Sequence, residues 1–332
     1  MQPKIPQILS ILQEVCSKYG YSWKLIDDYS NNLVEISNGK KSFFTSNNRV
    51  ETYPLNLQFA SQVVKDKAWC YRILKQKGFR IPKGEYFFVQ REYRDLRGDG
   101  RELEDAIAFA KNTYPIFVKP NDRSLGTLAN IIYSEAELLA HLKKIAENSW
   151  IAHIQELINL PEYRIFAIDG EVEFIYQKTP PQILGDGNQS IEELLNAFNQ
   201  NCKNPKHRIS LKDSFLQKQL EQFHFTKDSI LRDREILAIA SINNLTAGGG
   251  IADYRADIPL VTKNWVREIT DAMSIRVCGI DIFVENGIDD PSGYIVIELN
   301  HNPGLSGFYN TGYEKKVTQV LGKILKKYFN TD

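Results

Sequence analysis

The stretch that most constrains how this 332-residue chain folds is CGIDIFVENGIDDPSGYIVIELNHN, residues 278–302. Two apolar segments flank a Gly/Asp/Pro/Ser turn, which is typical of a β-hairpin. Alternation predicts one face formed by Tyr294, Val296, Glu298 and Asn300, and the other by Ile295, Ile297 and Leu299. Antiparallel pairing across residues 286–293 places Asp281 opposite Glu298, with Asn300 two residues further along the same face. Three oxygen-bearing side chains then converge where a buried hairpin is normally apolar.

Two carboxylates and a carboxamide form a hard-oxygen ligand set of the kind that Mg²⁺ prefers, with the remaining positions left for water and substrate phosphates. An isolated D…E-x-N pattern is also typical of ordinary acids on a solvent-facing strand. The rest of the chain is needed to decide between these interpretations.

Composition excludes some classes of partner. Lys plus Arg and Asp plus Glu number 41 each, so no overall field attracts nucleic acid or an anionic membrane. The four cysteines, Cys16, Cys70, Cys202 and Cys278, are far apart without C-x-x-C spacing, and polar residues interrupt the N-terminal apolar run. We expect a cytoplasmic protein with reduced thiols, no signal peptide and no membrane span.

The N-terminal residues predict a small α/β unit over 1–60. Residues 5–19 are typical of an amphipathic helix that buries Ile8, Ile11, Leu12 and Val15. The alternating segments on either side of Asn38-Gly39 predict a hairpin with a two-residue turn.

Residues 61–77 predict one helix with a buried stripe of Val64, Ala68, Tyr71 and Leu74, and Gly78 is typical of a C-terminal cap. Lys67 lies at the edge of that stripe, where a lysine ordinarily extends to solvent. The charged segment 91–105 is assigned no chemistry.

A strand predicted to end at Lys119 precedes a polar loop that contains Gly126. This order suits a phosphate cradle, because the strand end presents a cation and a small-residue loop lets backbone N–H groups approach phosphate oxygens. The loop does not have the Walker A pattern. A lysine at a strand end is, taken alone, more often structural than functional.

In the second half, Asp169-Gly170 predicts a tight hairpin turn in which Ile168 pairs with Glu171. An unbulged hairpin would put Arg164 and Lys178 on opposite faces, so contact with one ligand requires a bulge. Capping boxes predict helices starting at Ser134 and Ser190, and two further helices are predicted over 262–277 and 312–329. The glycine run 248–250 either loosens a loop or clears space for a ligand.

The order of these motifs resembles the ATP-grasp superfamily, and most of all the ATP-grasp portions of cyanophycin synthetase and of the bifunctional glutathione-synthesising enzyme. The resemblance covers roughly residues 60–330. The motifs are D-K at 66–67, V-K-P at 118–120, Q-E-x-I at 155–158 with E-Y-R at 162–164, G-D-G at 185–187, N-L-T-A-G-G at 244–249, C-G-I-D at 278–281 and I-E-L-N-x-N-P at 297–303. It implies an α/β fold with α+β subdomains, a first ATP-grasp subdomain over 61–150 and a second over 151–332.

The resemblance also implies roles for individual residues. ATP would contact Lys67, Lys119, Ser124, Gly126, Thr127, Gln155, Glu156, Leu157, Ile158 and Glu162. The catalytic residues would be Arg164 and Lys178, the acyl substrate would contact Asn244, Gly248 and Gly249, and Asp281, Glu298 and Asn300 would bind Mg²⁺ or Mn²⁺. A homo-oligomer, a dimer, is implied as well.

The implied reaction joins a carboxylate to an amine through an acyl phosphate, with an amino acid, a small peptide or another small carboxylate as the carboxylate. Phosphoryl transfer requires mainly positioning and charge neutralisation, which these residue types provide. A kinase-like phosphotransferase and a catalytically silent ATP-binding regulatory protein are the alternatives. Gly279-Ile280 stands where D-alanine–D-alanine ligases carry an Arg, which favours the glutathione and cyanophycin side. The chain lacks the glutamate–cysteine ligase half and the Mur-ligase half of those enzymes, so neither complete activity is assumed.

Overall fold

The computed structural model describes residues 4–27, 29–47, 50–91, 95, 97–124, 126–202, 205–241, 243, 245 and 248–330. The helices are α1 (Gln7–Tyr19), α2 (Gln58–Lys65), α3 (Lys67–Gln76), α4 (Leu103–Ala110), α5 (Glu135–Ala146), α6 (Ile191–Asn201), α7 (Ser214–Gln222), α8 (Leu260–Ala272), α9 (Ser306–Tyr309) and α10 (Glu314–Phe329). The strands are β1 (Ser22–Leu25), β2 (Leu33–Ser37), β3 (Ser42–Ser46), β4 (Gly84–Phe88), β5 (Ile116–Pro120), β6 (Asn130–Ile132), β7 (Ile151–Glu156), β8 (Glu162–Ile168), β9 (Glu171–Thr179), β10 (Gln182–Leu184), β11 (Ile236–Ala238), β12 (Gly250–Arg255), β13 (Val277–Val284) and β14 (Tyr294–Asn300).

The N-terminal unit pairs α1 with a three-stranded sheet in the order β1-β2-β3. The predicted apolar stripe of α1 is confirmed, since Ile8, Ile11, Leu12 and Val15 are all buried. The predicted two-residue turn is wrong. Ser37 pairs with Ser42, so four residues connect β2 and β3, and the backbone N–H of Asn38 donates to the carbonyl of Lys41.

Residues 61–77 do not form one helix, and this prediction is wrong. Helix α2 ends at Lys65 and α3 begins at Lys67, because Asp66 adopts an extended conformation and its side chain accepts a 2.9 Å hydrogen bond from the backbone N–H of Trp69. Lys67 is therefore the first residue of a helix rather than a residue in the middle of one. The role of Gly78 as a helix terminator is confirmed by its φ of 86°.

A four-stranded antiparallel sheet has the order β4-β7-β5-β6. One face packs on α4 and α5 through a core that includes Val118, Ile154, Leu138 and Leu142. Strand β7 lies beyond residue 150 in the chain and pairs with both β4 and β5. The opposite face of this sheet carries polar side chains and borders the second sheet.

A five-stranded antiparallel sheet has the order β12-β9-β8-β13-β14. It is buried on both faces, because alternate residues of β8 contribute to two separate cores: Ile165 belongs to one, and Phe166 belongs to the core shared with α1 and α10. Arg164 shares the face of Phe166 by strand alternation. This face of β8 is therefore apolar at Phe166 and charged at Arg164.

The β8–β9 hairpin contains the bulge that a shared ligand requires. The two-residue turn at Asp169-Gly170 is confirmed by the pairing of Ile168 with Glu171 and by positive φ values at both turn residues. The register shifts between Phe166 and Ala167. As a result, Lys178 pairs with Glu162 and lies on the same face of the sheet as Arg164.

The β13–β14 hairpin pairs Asp281 with Glu298, as predicted. A second bulge follows, because Ile282 pairs with Val296 and leaves Ile297 as the extra residue. The predicted alternation along β14 is therefore wrong. Tyr294, Val296 and Leu299 belong to one core cluster, so the residue that follows Glu298 returns to the face of Val296.

The segment between β9 and β12 forms a small unit with β10 paired to β11 and with α6 and α7. Its own core includes Ile183, Leu195, Leu216 and Leu237. The predicted capping box of α6 is confirmed, since Ser190 and Glu193 exchange both hydrogen bonds.

The helix predicted over 262–277 ends at Ala272, because Ser274 adopts a left-handed conformation with φ of 52° and Val277 begins β13. In the part of the chain that the structure describes, no helix combines the length and apolar character needed to cross a bilayer.

Candidate active site

A buried ion-pair network joins the middle strands of the five-stranded sheet. Asp281 on β13 and Arg164 on β8 are direct cross-strand partners. Arg164 donates to both carboxylate oxygens, with Nη2 2.6 Å from Oδ2 and Nε bonded to Oδ1. Lys178 on β9 places Nζ 3.0 Å from Asp281 Oδ1. The strand register thus brings two cations to one carboxylate that is only 1% exposed.

The network fixes the charges of its members. Burial would raise the pKa of Asp281, but the charges of Arg164 and Lys178 and their hydrogen bonds hold this pKa well below its usual value. Burial would lower the pKa of each cation, but the Asp281 carboxylate raises both above their ordinary values. All three groups are therefore charged at neutral pH.

Glu162 extends the network towards the unit inserted between β9 and β12. Its Oε1 accepts a hydrogen bond from Lys178, and its Oε2 accepts one of 2.8 Å from Asn243 Nδ2. Asn243 is a site residue that the sequence did not predict. Its neighbour Asn244, which was predicted to contact substrate, lies outside the described residues.

The three predicted metal ligands lie together. Asn300 Nδ2 is 3.2 Å from Asp281 Oδ2 and 3.2 Å from Glu298 Oε1. The Asn300 amide lies between the two carboxylates, so rotation of its plane would place Oδ1 where Nδ2 now lies. Two carboxylates and one carboxamide then form an oxygen donor set that fits Mg²⁺. Among the described residues no group of three His, Cys, Asp or Glu side chains could hold a metal, so the amide is needed to complete this set.

Lys67 approaches the same point from α3, and Lys119 approaches it from β5 of the four-stranded sheet. Lys67 Nζ lies 3.7 Å from Glu298 Oε2 and donates to the carbonyl of Arg123 at 2.8 Å. Lys119 Nζ donates to the Tyr71 hydroxyl at 2.8 Å. Within the described chain, no carboxylate forms an ion pair with Lys119.

Lys119 is buried, and the side chain of Lys67 is 12% exposed. Burial lowers the pKa of Lys67 and of Lys119, and the nearby carboxylate of Glu298 opposes the shift in each case. Lys119 is 5% exposed. Two lysines with little exposure to solvent and little compensating charge suit an anionic ligand.

The bulge at Ile297 contributes to this arrangement. The carbonyl of Ile297 accepts hydrogen bonds from the Tyr71 hydroxyl and from Lys119 Nζ, the latter at 3.4 Å. Strand β14 is thereby linked to α3 and β5. Tyr71 was predicted only as a buried residue of a helix, and the helical pattern of the sequence did not indicate these contacts.

Two more polar residues, His153 and Asn121, support the lysines. His153 pairs with Lys119 across β7 and β5, and its Nε2 lies 2.9 Å from Asn121 Oδ1. The same amide oxygen accepts from the backbone N–H of Ala68 at 2.8 Å, and the Asn121 carbonyl accepts from Lys67. Asn121 therefore positions the start of α3, a role that the sequence did not predict.

The predicted adenine segment covers the end of β7 and the two residues that follow it. Gln155 lies on the same sheet face as Lys119, and its Oε1 is buried with no hydrogen-bond partner among the described residues. Glu156 Oε1 accepts from the backbone N–H of Lys83 at 2.8 Å. Leu157 and Ile158 continue beyond the strand. An unpaired buried amide oxygen fits an exocyclic amino group such as that of adenine.

The predicted phosphate loop follows β5. The backbone N–H of Thr127 donates to the carbonyl of Ser124 at 3.1 Å, and Gly126 has φ of 73°. The loop begins next to Arg123, whose carbonyl is held by Lys67. One of the predicted phosphate-binding lysines thus contacts the start of the loop.

Gly248 and Gly249 directly precede β12, where Gly250 pairs with Thr179 beside Lys178. A Cβ on Gly248 would lie 2.5 Å from Cζ of Phe198 on α6. The glycine therefore permits close contact between this loop and the inserted unit. Its predicted contact with substrate stays a prediction.

The two facing sheets, the two lysines and the oxygen ligand set are the arrangement expected of an ATP-grasp fold. The comparisons agree with this fold. The glutathione biosynthesis bifunctional protein of Streptococcus agalactiae serotype V is 27% identical over 334 residues, which cover 96% of this chain and 42% of the relative. The corresponding protein of Enterococcus faecalis is 28% identical over 285 residues, which cover 79% of this chain and 35% of the relative.

Among solved structures, a bifunctional glutathione synthetase from Pasteurella multocida matches with a TM-score of 0.60 and 19% identity, covering 98% of this chain and 44% of that one. No protein-family model matches. The chain spans less than half the length of these relatives. The comparisons confirm the ATP-grasp fold and the resemblance to ATP-grasp ligases, which are enzymes that form carbon–nitrogen bonds.

Proposed function

We propose that this chain is an ATP-dependent carboxylate–amine ligase that forms an amide or peptide bond through an acyl phosphate and releases ADP and phosphate. The observation that supports it most is the convergence of Lys67 with Glu298, at 3.7 Å, beside the Asp281 network. Cations from α3 and from the four-stranded sheet meet an oxygen ligand set from the five-stranded sheet at a single point. Phosphoryl transfer requires this combination.

Lys67 and Lys119 would bind the phosphates of ATP. Lys119 is 5% exposed and the Lys67 side chain is 12% exposed, so an anion gains more from them than it would from solvated lysines. Ser124, Gly126 and Thr127 would cover the phosphates with backbone N–H groups. These residues orient the nucleotide and exclude water from it.

Arg164 and Lys178 would act on the carboxylate substrate. Asp281 orients both cations through short contacts, so little reorganisation is needed when negative charge develops nearby. Their guanidinium and ammonium groups would stabilise the oxygens of the phosphoryl group and of the acyl phosphate.

Asp281, Glu298 and Asn300 would hold Mg²⁺, with Mn²⁺ as an alternative. When bound, the ion supplies neutralisation of phosphate charge. Gln155, Glu156, Leu157 and Ile158 would receive the adenine, and Glu162 would receive the ribose. Asn244, Gly248 and Gly249 would border the acyl substrate.

The substrate class that we propose is an amino acid or small peptide as the carboxylate and an amino acid as the amine. Support comes from the relatives, whose names refer to glutathione, a γ-glutamylcysteine unit joined by an amide bond to glycine. The presence of Gly279-Ile280 where D-alanine–D-alanine ligases carry an Arg agrees with that side of the superfamily. We further propose a cytoplasmic reaction, which has access to ATP, and a homodimer.

The test is product formation with purified protein, ATP and Mg²⁺ against panels of carboxylates with and without amines, beginning with γ-glutamylcysteine and glycine. We expect ADP release that requires both substrates and an amide product seen by mass spectrometry. AMP and pyrophosphate would instead show adenylation and contradict the acyl phosphate. Release of ADP with a phosphorylated product and no amine requirement would indicate the kinase-like alternative, and ATP binding without turnover would indicate a regulatory protein.

A further inference from the structure

The N-terminal unit is fastened to the residues that follow the predicted metal strand. The backbone N–H of Thr52 donates to Asn302 Oδ1 at 3.1 Å. Asn56 Nδ2 donates to the carbonyl of His301 at 2.8 Å. The loop 50–56 is therefore held directly against the end of β14, one residue beyond Asn300.

The same loop borders Arg164. Tyr53 is buried and its hydroxyl donates to the carbonyl of Pro303. Pro303 in turn packs on Gly279, where a Cβ would lie 2.8 Å from Pro303 Cβ and 3.1 Å from Arg164 Nη1. The loop is thus part of the wall around the residues that we propose act on substrate.

In this wall, one carboxylate oxygen of Glu51 receives no hydrogen bond from the described residues. Its Oε1 lies 2.8 Å from His301 Nδ1, but neither this nitrogen nor the buried Glu51 Oε2 makes a hydrogen bond to any described residue. The side chain as a whole is 33% exposed, whereas Oε2 itself is buried, so rotation of the carboxylate would bring this oxygen to a ligand. An unsatisfied buried carboxylate oxygen is costly, and this points to a hydrogen-bond donor supplied from outside the chain.

We propose that Glu51 accepts a hydrogen bond from the primary ammonium group of a substrate, with His301 as the adjoining wall. This inference rests on the proposed ligase function. An ammonium group offers three N–H donors, and its bond to a carboxylate is charge-assisted. The site would select amino-acid-like substrates over their deaminated counterparts.

The ammonium group could belong to the nucleophilic amine or to the carboxylate substrate, and two probe pairs distinguish these sources. Glycine is compared with glycolate, in which a hydroxyl replaces the ammonium group. γ-Glutamylcysteine is compared with glutarylcysteine, which lacks the ammonium group and is otherwise the same. Binding is measured by calorimetry, without turnover, with and without Mg²⁺ and a non-hydrolysable ATP analogue.

We expect wild-type protein to favour the ammonium member of one pair by at least about tenfold. Glu51→Gln should remove that preference, whereas Glu51→Asp, which keeps the charge, should retain part of it. Glu14→Gln, an exposed glutamate on α1, is the matched control and should keep the full preference. Thermal melting of each variant checks the fold.

Three results would overturn the inference: no binding by either ammonium probe, equal binding within both pairs, or a preference that survives in Glu51→Gln. The proposed function is judged separately by ADP and amide formation. Glu51-dependent preference without turnover would contradict only the ligase, whereas turnover with an unchanged KM for both substrates in Glu51→Gln would contradict only the ammonium site.

Discussion

Arg164 and Asp281 are direct cross-strand partners, and the guanidinium group of Arg164 donates to both oxygens of the Asp281 carboxylate inside a sheet that is buried on both faces. Lys178 adds a second cation at 3.0 Å. Removing the negative charge would leave two buried cations without their partner, so this pair gives the clearest stability prediction.

Asp281→Asn should lower the free energy of unfolding by about 3 kcal/mol or more, because breaking a buried ion pair leaves uncompensated charge. Urea denaturation measures the effect. Asp289→Asn is the control: its carboxylate is 61% exposed and pairs with Arg255 at the surface, so a change of less than about 1 kcal/mol is expected. Equal effects in the two variants would show that the buried network contributes no more than a surface pair.

The contribution of Asp281 should depend on pH in the acid range. Its pKa is depressed in the folded protein, so the unfolded state binds the proton more readily, and stability is lost as the pH falls below the ordinary value of about 4. The stability difference between wild type and Asp281→Asn should therefore be constant near neutral pH and shrink below about pH 4. A difference that stays constant to pH 3 would contradict the depressed pKa.

Lys119→Met should weaken ATP binding by at least about tenfold and leave stability unchanged or higher. The pKa of Lys119 is lowered by burial, so the charged form costs stability in the folded protein, and that cost is relieved as the pH rises above the folded pKa. Methionine fills the same space without the charge.

Equilibrium nucleotide titration and urea denaturation measure the two effects of Lys119→Met. The exposed Lys65 at the end of α2 provides the control, since Lys65→Met should alter neither. Wild-type nucleotide affinity in a folded Lys119→Met protein would remove this lysine from the proposed site.

The local signals of the site could be predicted from sequence, but its geometry could not. The turn at Asp169-Gly170 and the pairing of Asp281 with Glu298 follow from turn chemistry and strand alternation. The bulge at Ile297 does not, because a period of two has no position for an extra residue. Without that bulge, the prediction placed Glu298 on the same face as Val296.

The low exposure of Lys119 could not be predicted from the sequence either. Lys119 was predicted only to present a cation at a strand end, whereas the structure leaves it 5% exposed because α3 and β14 both close over it. Sequence periodicity reports one element at a time, whereas these contacts join elements far apart in the chain. Tyr71 shows the same limit, since its hydroxyl links Lys119 to the carbonyl of Ile297.

Gly248→Ala should destabilise the contact between the glycine loop and the inserted unit. The new Cβ would lie 2.5 Å from the ring of Phe198, and φ is already 95°. Gly39→Ala is the matched control, with φ of 87° and no atom within 4 Å, so both variants carry the cost of a left-handed alanine of about 1 kcal/mol.

The overlap in Gly248→Ala should add about 1 to 3 kcal/mol, measured by urea denaturation. Adding Phe198→Leu should recover part of this loss. If Gly248→Ala and Gly39→Ala are equally stable, the loop is not packed against α6 as described.

Glu298→Gln tests the proposed metal site with little change in shape. Turnover should fall by at least about a hundredfold, since one of two carboxylates that would hold Mg²⁺ loses its charge. Stability should change by less than about 1 kcal/mol. Glu298 is 28% exposed and lies 3.7 Å from Lys67, and the neighbouring Asp281 charge is already offset by Arg164 and Lys178, so repulsion between the two carboxylates is small.

Steady-state ADP release and urea denaturation measure the two quantities for Glu298→Gln, and Glu285→Gln is the matched control because it lies past the end of β13 in a surface pair with Arg80. Glu285→Gln should leave turnover unchanged. The contrast with Asp281→Asn is informative as well: both variants should lose turnover, but only Asp281→Asn should also lose about 3 kcal/mol of stability. Normal turnover by Glu298→Gln with Mg²⁺ and ATP would show that this carboxylate holds no catalytic metal, and the oxygen ligand set of β13 and β14 would then have to be abandoned.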